Sequence, residues 1–348
     1  MTNSSSTNFP PVSKRLESFP SELDLALEPK MRIPTTLKYV RLLLKVSQLL
    51  PGLTHRLCYK LFFRINSKAR ADKPSGLASL FPDEYWITLI THDGSANKQI
   101  CCYEIGDPSA PTVVLIHGWE SRVDQMFSIA EALLEKGFRV LCFDLPAHGR
   151  SQGKHTDLLE INAIVCAMLQ GASSANANNN VQAKTVKCEA VVAHSFGGVC
   201  AAKLLSSGLS CRSLVLISTP SSFVGVFNKF SYLLGLNSNT QSKLKKRISD
   251  RFKMITSNVW DNFSTNDNLA SLNQNVLITH DIKDKVVPIQ EGKLLFDTSQ
   301  RRESHSKQQV LVTNGLGHNR ILADETVAAE VASFINEQFS SAQSVWES

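Results

Sequence analysis

Three residues of the chain could together perform nucleophilic chemistry, and each follows an apolar run. Ser195 stands in Val191-Val192-Ala193-His194-Ser195-Phe196-Gly197-Gly198. An apolar strand runs into the serine, and small residues open a helix at once. A serine on so sharp a turn needs small neighbours two positions to either side, and Ala193 and Gly197 supply them. Its hydroxyl is then pushed out above a sheet, beside the positive end of the next helix. A serine hydroxyl is a poor nucleophile at neutral pH, so it needs a base, and the base needs an orienting acid. Leu277-Ile278-Thr279-His280-Asp281-Ile282-Lys283-Asp284-Lys285-Val286-Val287-Pro288 places carboxylates just past a strand. Asp284 is read as the acid, because it occupies a D-x-x-V-P position; Asp281 is the reserve candidate, read as a turn cap. His318 lies in Gly315-Leu316-Gly317-His318-Asn319, after the last apolar run. Of the nine histidines it alone has a glycine-flanked setting after both the serine and the acid. The chain order is therefore serine, acid, base.

Acyl transfer also needs donors for a developing oxyanion. The backbone N–H of Phe196 is one candidate. The other is the N–H of Trp119, in the loop His117-Gly118-Trp119-Glu120 that follows the run Thr112–Ile116. His117 is expected to hold this loop by a hydrogen bond, and Glu120 to cap the helix that follows.

From about residue 84 onward, the elements that would position these residues alternate. Strands are expected at 85–91 and 99–105, joined through Asp93-Gly94. Further strands are expected at 112–116, 139–145, 188–193, 213–218, 276–279 and 309–312. Helices are expected at 126–136, 158–169, 197–206, 289–295 and 321–339, with a loose Ala/Ser/Asn-rich surface loop at 171–180. Short Val/Ile/Leu runs alternating with helices mean a mostly parallel, doubly wound sheet covered on both faces. One interval, 219–272, has no core strand. It is read as a helical cap inserted at a strand's C-terminal end, where such sheets place their sites.

The chain has 348 residues, of which 43% are hydrophobic and 20% charged, enough apolar material for a core without metal or disulfide staples. Its net charge of +6 is local. Between Lys30 and Lys73, eleven Lys/Arg face Asp72 alone, a net +10 that leaves the remainder at −4. Within this arm Leu37, Val40, Leu43 and Leu44 recur at helical spacing, with Lys38, Arg41, Lys45 and Gln48 on another face. Pro51-Gly52 interrupts the pattern, and Leu53, Leu57, Leu61 and Ile65 resume it with Arg56, Lys60 and Arg64 opposite. The first reading is a basic helical arm packed on the main domain with its cations in water. The second is a peripheral contact with anionic lipid. The eight cysteines form no C-x-x-C pair and are read as small buried hydrophobes in a reducing compartment. No apolar run of spanning length is present, and the start lacks a signal-peptide layout. There is no H-E-x-x-H, no P-loop and no strand leading into G-x-G-x-x-G, so no metal or cofactor is expected; no nucleic-acid motif accompanies the charge.

These motifs, together with Phe143-Asp144-Leu145-Pro146-Ala147-His148-Gly149-Arg150-Ser151, resemble the α/β-hydrolase superfamily in its capped, serine-triad branch. The resemblance covers about 84–339. It implies a bracing role for Asp144, His148 and Ser151, and it assigns none to Arg150. His117, Gly118 and Gly197 join them as structural support around Ser195, Asp284 and His318. The implied organisation is a flexible polar segment 1–29, a basic arm 30–83, a core of 84–218 with 273–348, and a cap 219–272. Serine at the elbow argues against the dehalogenases and epoxide hydrolases of this fold, which carry aspartate there. The expected activity is cleavage of a small-molecule carboxylic ester or thioester through an acyl-enzyme. The alternatives are a carbon–carbon bond hydrolase, another acyl transferase, or a non-catalytic, membrane-associated binding protein. The expected location is cytoplasmic, with residues 30–73 as the membrane-facing part if there is one.

Overall fold

The computed structural model describes residues 14–20, 35–47, 51–65, 83–90, 97–156, 158–171, 174–176, 187–253, 256–304 and 306–344. Nine strands form one sheet: β1 (Asp83–Ile90), β2 (Asn97–Ile105), β3 (Thr112–Ile116), β4 (Arg139–Phe143), β5 (Ser174–Asn176), β6 (Cys188–His194), β7 (Ser213–Ile217), β8 (Asn275–Asp281) and β9 (Gln308–Thr313). Their order is β5-β1-β2-β4-β3-β6-β7-β8-β9. β1 and β2 pair antiparallel and β2 joins β4 antiparallel, while β4 through β9 run parallel. The central strands are buried along their whole length because both faces are covered.

Alternate residues of each strand serve opposite cores, as the period of two requires. Val114, Ile116, Val191 and Ala193 point to the face covered by α4 (Leu158–Leu169), α5 (Phe196–Ser206) and α10 (Ile289–Gln300). Val113, Leu115, Ala190 and Val192 point to the face covered by α3 (Phe127–Glu135) and α12 (Glu325–Ser344). The short helix α11 (Gly317–Arg320) follows β9. Between β7 and β8 the cap consists of α6 (Phe223–Leu234), α7 (Ser238–Phe252), α8 (Val259–Asn262) and α9 (Thr265–Ala270). Side chains of Ser222, Asn237, Asn258 and Ser264 accept from backbone amides at their starts, so each cap helix carries its own N-terminal stop signal.

Three expectations are corrected. The segment 171–180 is not all loop: Ser174–Asn176 adds a parallel edge strand beside β1, and most of the rest lies outside the described residues. The polar N-terminal segment is not wholly flexible. Leu16 exchanges backbone hydrogen bonds with Val310 at 2.8 Å each way, and Arg15 pairs with Glu330 at 2.8 Å and with Glu337. The rest of 1–29 lies outside the described residues.

The third correction concerns the arm. Its two helices form, α1 (Thr35–Ser47) and α2 (Pro51–Phe62), but the side that α2 buries is not the expected one. Thr54, Cys58 and Phe63 are buried, and Phe62 packs edge-on to Phe223 and Phe230 of α6. Of the expected stripe, Leu61 and Ile65 are half-buried, whereas Leu53 and Leu57 are solvent-facing on the same side as Arg56 and Lys60, not opposite them. The reason is competition between faces: an aromatic pair, Phe62 and Phe63, outweighs two leucines as packing area. Arg247 and Arg251 of α7 lie over the rings of Tyr59 and Phe63, at 4.8 and 5.1 Å, and fix α2 to the cap. Lys30, Arg32, Lys68, Arg70 and Lys73 of the basic run lie outside the described residues. All eight cysteines are unpaired, and seven are buried. No helix among the described residues is long and apolar enough to cross a membrane.

Candidate active site

β6 ends at His194, and the chain turns into α5 through Ser195, whose φ of 51° and ψ of −121° lie outside the regions open to most side chains. The turn is held by the Ser195 N–H, which donates to the Ile217 carbonyl at 2.8 Å. Space is the second constraint. A Cβ on Gly197 would lie 2.6 Å from the Ile116 carbonyl oxygen, so β3 could not approach α5 with any larger residue there. A Cβ on Gly118 would lie 3.0 Å from the Ser195 Cβ, which shows how closely the 117–120 loop passes the serine.

The expected acid and base converge on this point. His318, on α11, donates from Nδ1 to Asp284 Oδ2 at 2.7 Å, and its Nε2 accepts from the Ser195 hydroxyl at 3.1 Å. Asp284 is buried in the loop after β8. Its other oxygen, Oδ1, accepts from the amides of Val286 and Val287 at 2.7 and 2.8 Å. Burial pushes this carboxyl up, but the bond and charge of His318 with the neighbouring donors outweigh it. The net displacement is below the usual carboxylate range, so Asp284 is ionised at neutral pH.

Asp281 does a different job. Its carboxylate accepts from the Thr313 hydroxyl at 2.7 Å and from the amides of Lys283, Gly315 and Leu316 at 2.8, 3.3 and 2.9 Å. It thereby ties the two loops that carry Asp284 and His318, and it makes no bond to His318.

The surrounding residues are satisfied in pairs. His117 donates from Nδ1 to the Gly118 carbonyl at 2.8 Å and accepts at Nε2 from the Leu145 amide at 2.9 Å. His148 donates to the Pro146 carbonyl at 2.9 Å and accepts from the Glu120 amide at 3.0 Å. Asp144 accepts from the amides of Val123 and Arg150 and from the Tyr103 hydroxyl, at 3.2, 3.1 and 3.1 Å. Burial outweighs these bonds and pushes its carboxyl above the usual range. Ser151 donates to the Asp144 carbonyl at 2.6 Å and accepts from the Cys101 amide at 2.9 Å. Glu120 is not the cap of the next turn: Arg122 holds that position before Val123–Met126, and Glu120 instead takes a positive φ of 56°. Arg150 pairs with Glu84 and lies over the Trp86 ring.

Four residues escaped the sequence reading. His194, directly before the serine, donates from Nε2 to the His318 carbonyl at 3.0 Å, with its ring 4.7 Å from that of His318. Burial holds its imidazole neutral, down to about 3. Its place inside the elbow motif was the available signal. Phe62 and Phe63 of the arm line the cavity beside Ser195, and no local motif announces that. Lys229 of α6 reaches across to the carbonyls of Lys285 and Val286, linking the cap to the loop that bears Asp284.

That cavity has a volume of about 800 Å³. Ser195, Trp119 and Phe196 form its floor, Phe223, Val226 and Phe230 its cap side, and Val287 and Pro288 a flank. The Phe196 N–H, first in α5, has no acceptor within the helix. Trp119 follows Gly118, whose close approach to the Ser195 Cβ brings this loop beside the elbow, and its ring lies 5.2 Å from that of Phe196. Among the described residues no group of three or more metal-ligating side chains occurs.

Comparison with known proteins agrees with this architecture. A family model described as the alpha/beta hydrolase fold matches residues 111–244, a stretch that contains Ser195 and ends before Asp284 and His318. The human Protein ABHD12B is 24% identical over 267 residues, covering 73% of this chain and 69% of that protein. The esterase Pf2001 of Pyrococcus furiosus superposes with a TM-score of 0.54 at 20% identity, over 80% of this chain and 96% of that one. Alpha/beta hydrolase domain-containing protein 10 from mouse superposes with a TM-score of 0.52 at 16% identity, over 75% and 99%. The chain has the α/β-hydrolase fold, with a helical cap and an additional helical region at its N-terminal side.

Proposed function

We propose that the protein is a serine hydrolase that cleaves a carboxylic ester or thioester through an acyl-enzyme. The observation that carries this reading is the continuous chain of hydrogen bonds from Asp284 through His318 to Ser195, ending in a largely apolar cavity. In this mechanism His318 Nε2 takes the hydroxyl proton as Ser195 Oγ attacks the acyl carbonyl. Ionised Asp284 keeps the Nδ1–H tautomer and stabilises the imidazolium that forms. The carbonyl oxygen becomes an oxyanion that accepts from the Phe196 and Trp119 amides. Collapse of the tetrahedral intermediate breaks the bond to the leaving alcohol or thiol, which receives the proton from His318. Water then repeats the sequence on the acyl-enzyme, with His318 as its base, and releases the carboxylic acid. The cavity favours an acyl group of substantial apolar size, since its walls are mainly Phe, Val and Pro side chains.

A fluorophosphonate probe tests the reading without knowledge of the substrate. Stoichiometric labelling of the wild type, lost in Ser195→Ala and His318→Ala while both retain their circular dichroism, is expected. Equal labelling of Ser195→Ala would refute it. The same result bears on the non-catalytic alternative, which predicts no labelling.

A further inference from the structure

The geometry points to a membrane-docking face formed by the outer sides of α1 and α2, whose partner is the surface of an anionic bilayer. At about 100° per residue, Lys38, Leu42, Tyr39 and Leu43 fall within an arc of about 140° on α1. All four are exposed, with Tyr39 at 70% and Leu43 at 72%. On α2, Arg56, Lys60, Leu53 and Leu57 share an arc of about 100° at the same spacing, and all four are again exposed. Five large apolar side chains and three cations thus occupy the sides of two touching helices that face away from the cap. A helix that only packs on a domain does not need leucines on its solvent side, whereas one lying at a headgroup boundary needs apolar residues interleaved with cations.

Charge selects the occupant. Neither α1 nor α2 contains an acidic residue. Among the described residues no ion pair involves Lys38, Arg56 or Lys60. Two copies of the chain pairing through this face would oppose cation to cation with no compensating carboxylate. An anionic bilayer supplies both the negative surface and the apolar layer. Position agrees with this choice. The opposite side of α2 carries Phe62 and Phe63 into the cavity wall, and Tyr232, on the cavity lining, is itself exposed beside Arg41 of α1. An acyl chain leaving the bilayer would meet the cavity one helix thickness away. That delivery step rests on the hydrolase reading, but the docking itself does not.

The test is co-sedimentation of the full chain with vesicles of phosphatidylcholine containing phosphatidylglycerol, against pure phosphatidylcholine, at low and high salt. Binding to the anionic vesicles that weakens with salt is expected. Leu43→Asp with Leu53→Asp, and separately Arg56→Glu with Lys60→Glu, should each lower the partition by about tenfold or more. Ser195→Ala should bind like the wild type, so a failure of the catalytic reading leaves this result untouched. The proposal would be overturned by no binding to anionic vesicles at low salt, or by equal binding of wild type and both double variants. A concentration-dependent dimer abolished by Leu43→Asp with Leu53→Asp would give the face to a second copy instead.

Discussion

Asp281 and Asp284 lie three residues apart and are both buried, yet their hydrogen bonds separate their roles. Asp284 gives one oxygen to His318 and the other to two backbone amides. Asp281 spends both oxygens on the loops themselves. Asp284→Asn keeps the size of the side chain but no longer holds the imidazole tautomer. The expected loss in kcat is on the order of 10⁴-fold with the melting temperature nearly unchanged. Asp281→Asn turns an amide group toward donors and is expected to cost about 1–3 kcal/mol of stability. Kinetics and thermal melts on the two variants check this pair of outcomes; equal kinetic losses with equal melting temperatures would contradict it. His194 belongs at the same scale. It holds the His318 carbonyl, so His318 is fixed by its ring through Asp284 and by its backbone through His194.

At the scale of elements, the core strands and the three site loops were legible because each obeys a local rule. Continuous apolar runs mark β3, β6 and β7, and a small-residue turn marks the elbow. The arm was not legible in the same way. Helical periodicity correctly announced α1 and α2, but two stripes competed for the buried side of α2, and the sequence alone weighted the leucines. The Phe62–Phe63 pair won because α6 offers Phe223, Phe227 and Phe230 to pack against, a tertiary fact with no local signature. The arm is consequently part of the cavity and not a detachable tail. Phe62→Ala is expected to widen the cavity and shift the kcat/KM profile of p-nitrophenyl esters toward longer or bulkier acyl groups, while Ser195 still reacts with fluorophosphonate. An unchanged profile would show that this wall does not select the substrate. Deleting the arm to test lipid binding would also open the cavity, so point substitutions on the outer face are the cleaner probe.

Across the whole molecule, neutral histidines are buried as structural pieces. Burial lowers His117 to about 4 and His194 to about 3, and it lowers His280 as well. His280 donates to the Val287 carbonyl at 2.9 Å, beneath Asp284. In the unfolded chain each titrates near 6.5. Their contribution to stability is therefore complete above about pH 6.5 and is lost as pH falls toward the folded values, because unfolding takes up protons. Each contributes a slope of up to about 1.4 kcal/mol per pH unit. Asp144, raised by burial, acts in the opposite direction but is one group against three. Urea midpoints measured from neutral pH down to about pH 4, spanning the window set by these values, should fall steadily. A flat midpoint across that window would mean that these imidazoles are not held neutral.

In the proposed reaction one serine, activated through His318, opens an acyl bond beneath the cap. Its most direct test is turnover of p-nitrophenyl esters from acetate to palmitate by the purified wild type and Ser195→Ala in parallel. Hydrolysis by the wild type, extending to acyl chains that fill the apolar cavity, is expected, with loss of turnover to background in Ser195→Ala. Hydrolysis that persists undiminished in Ser195→Ala would contradict it.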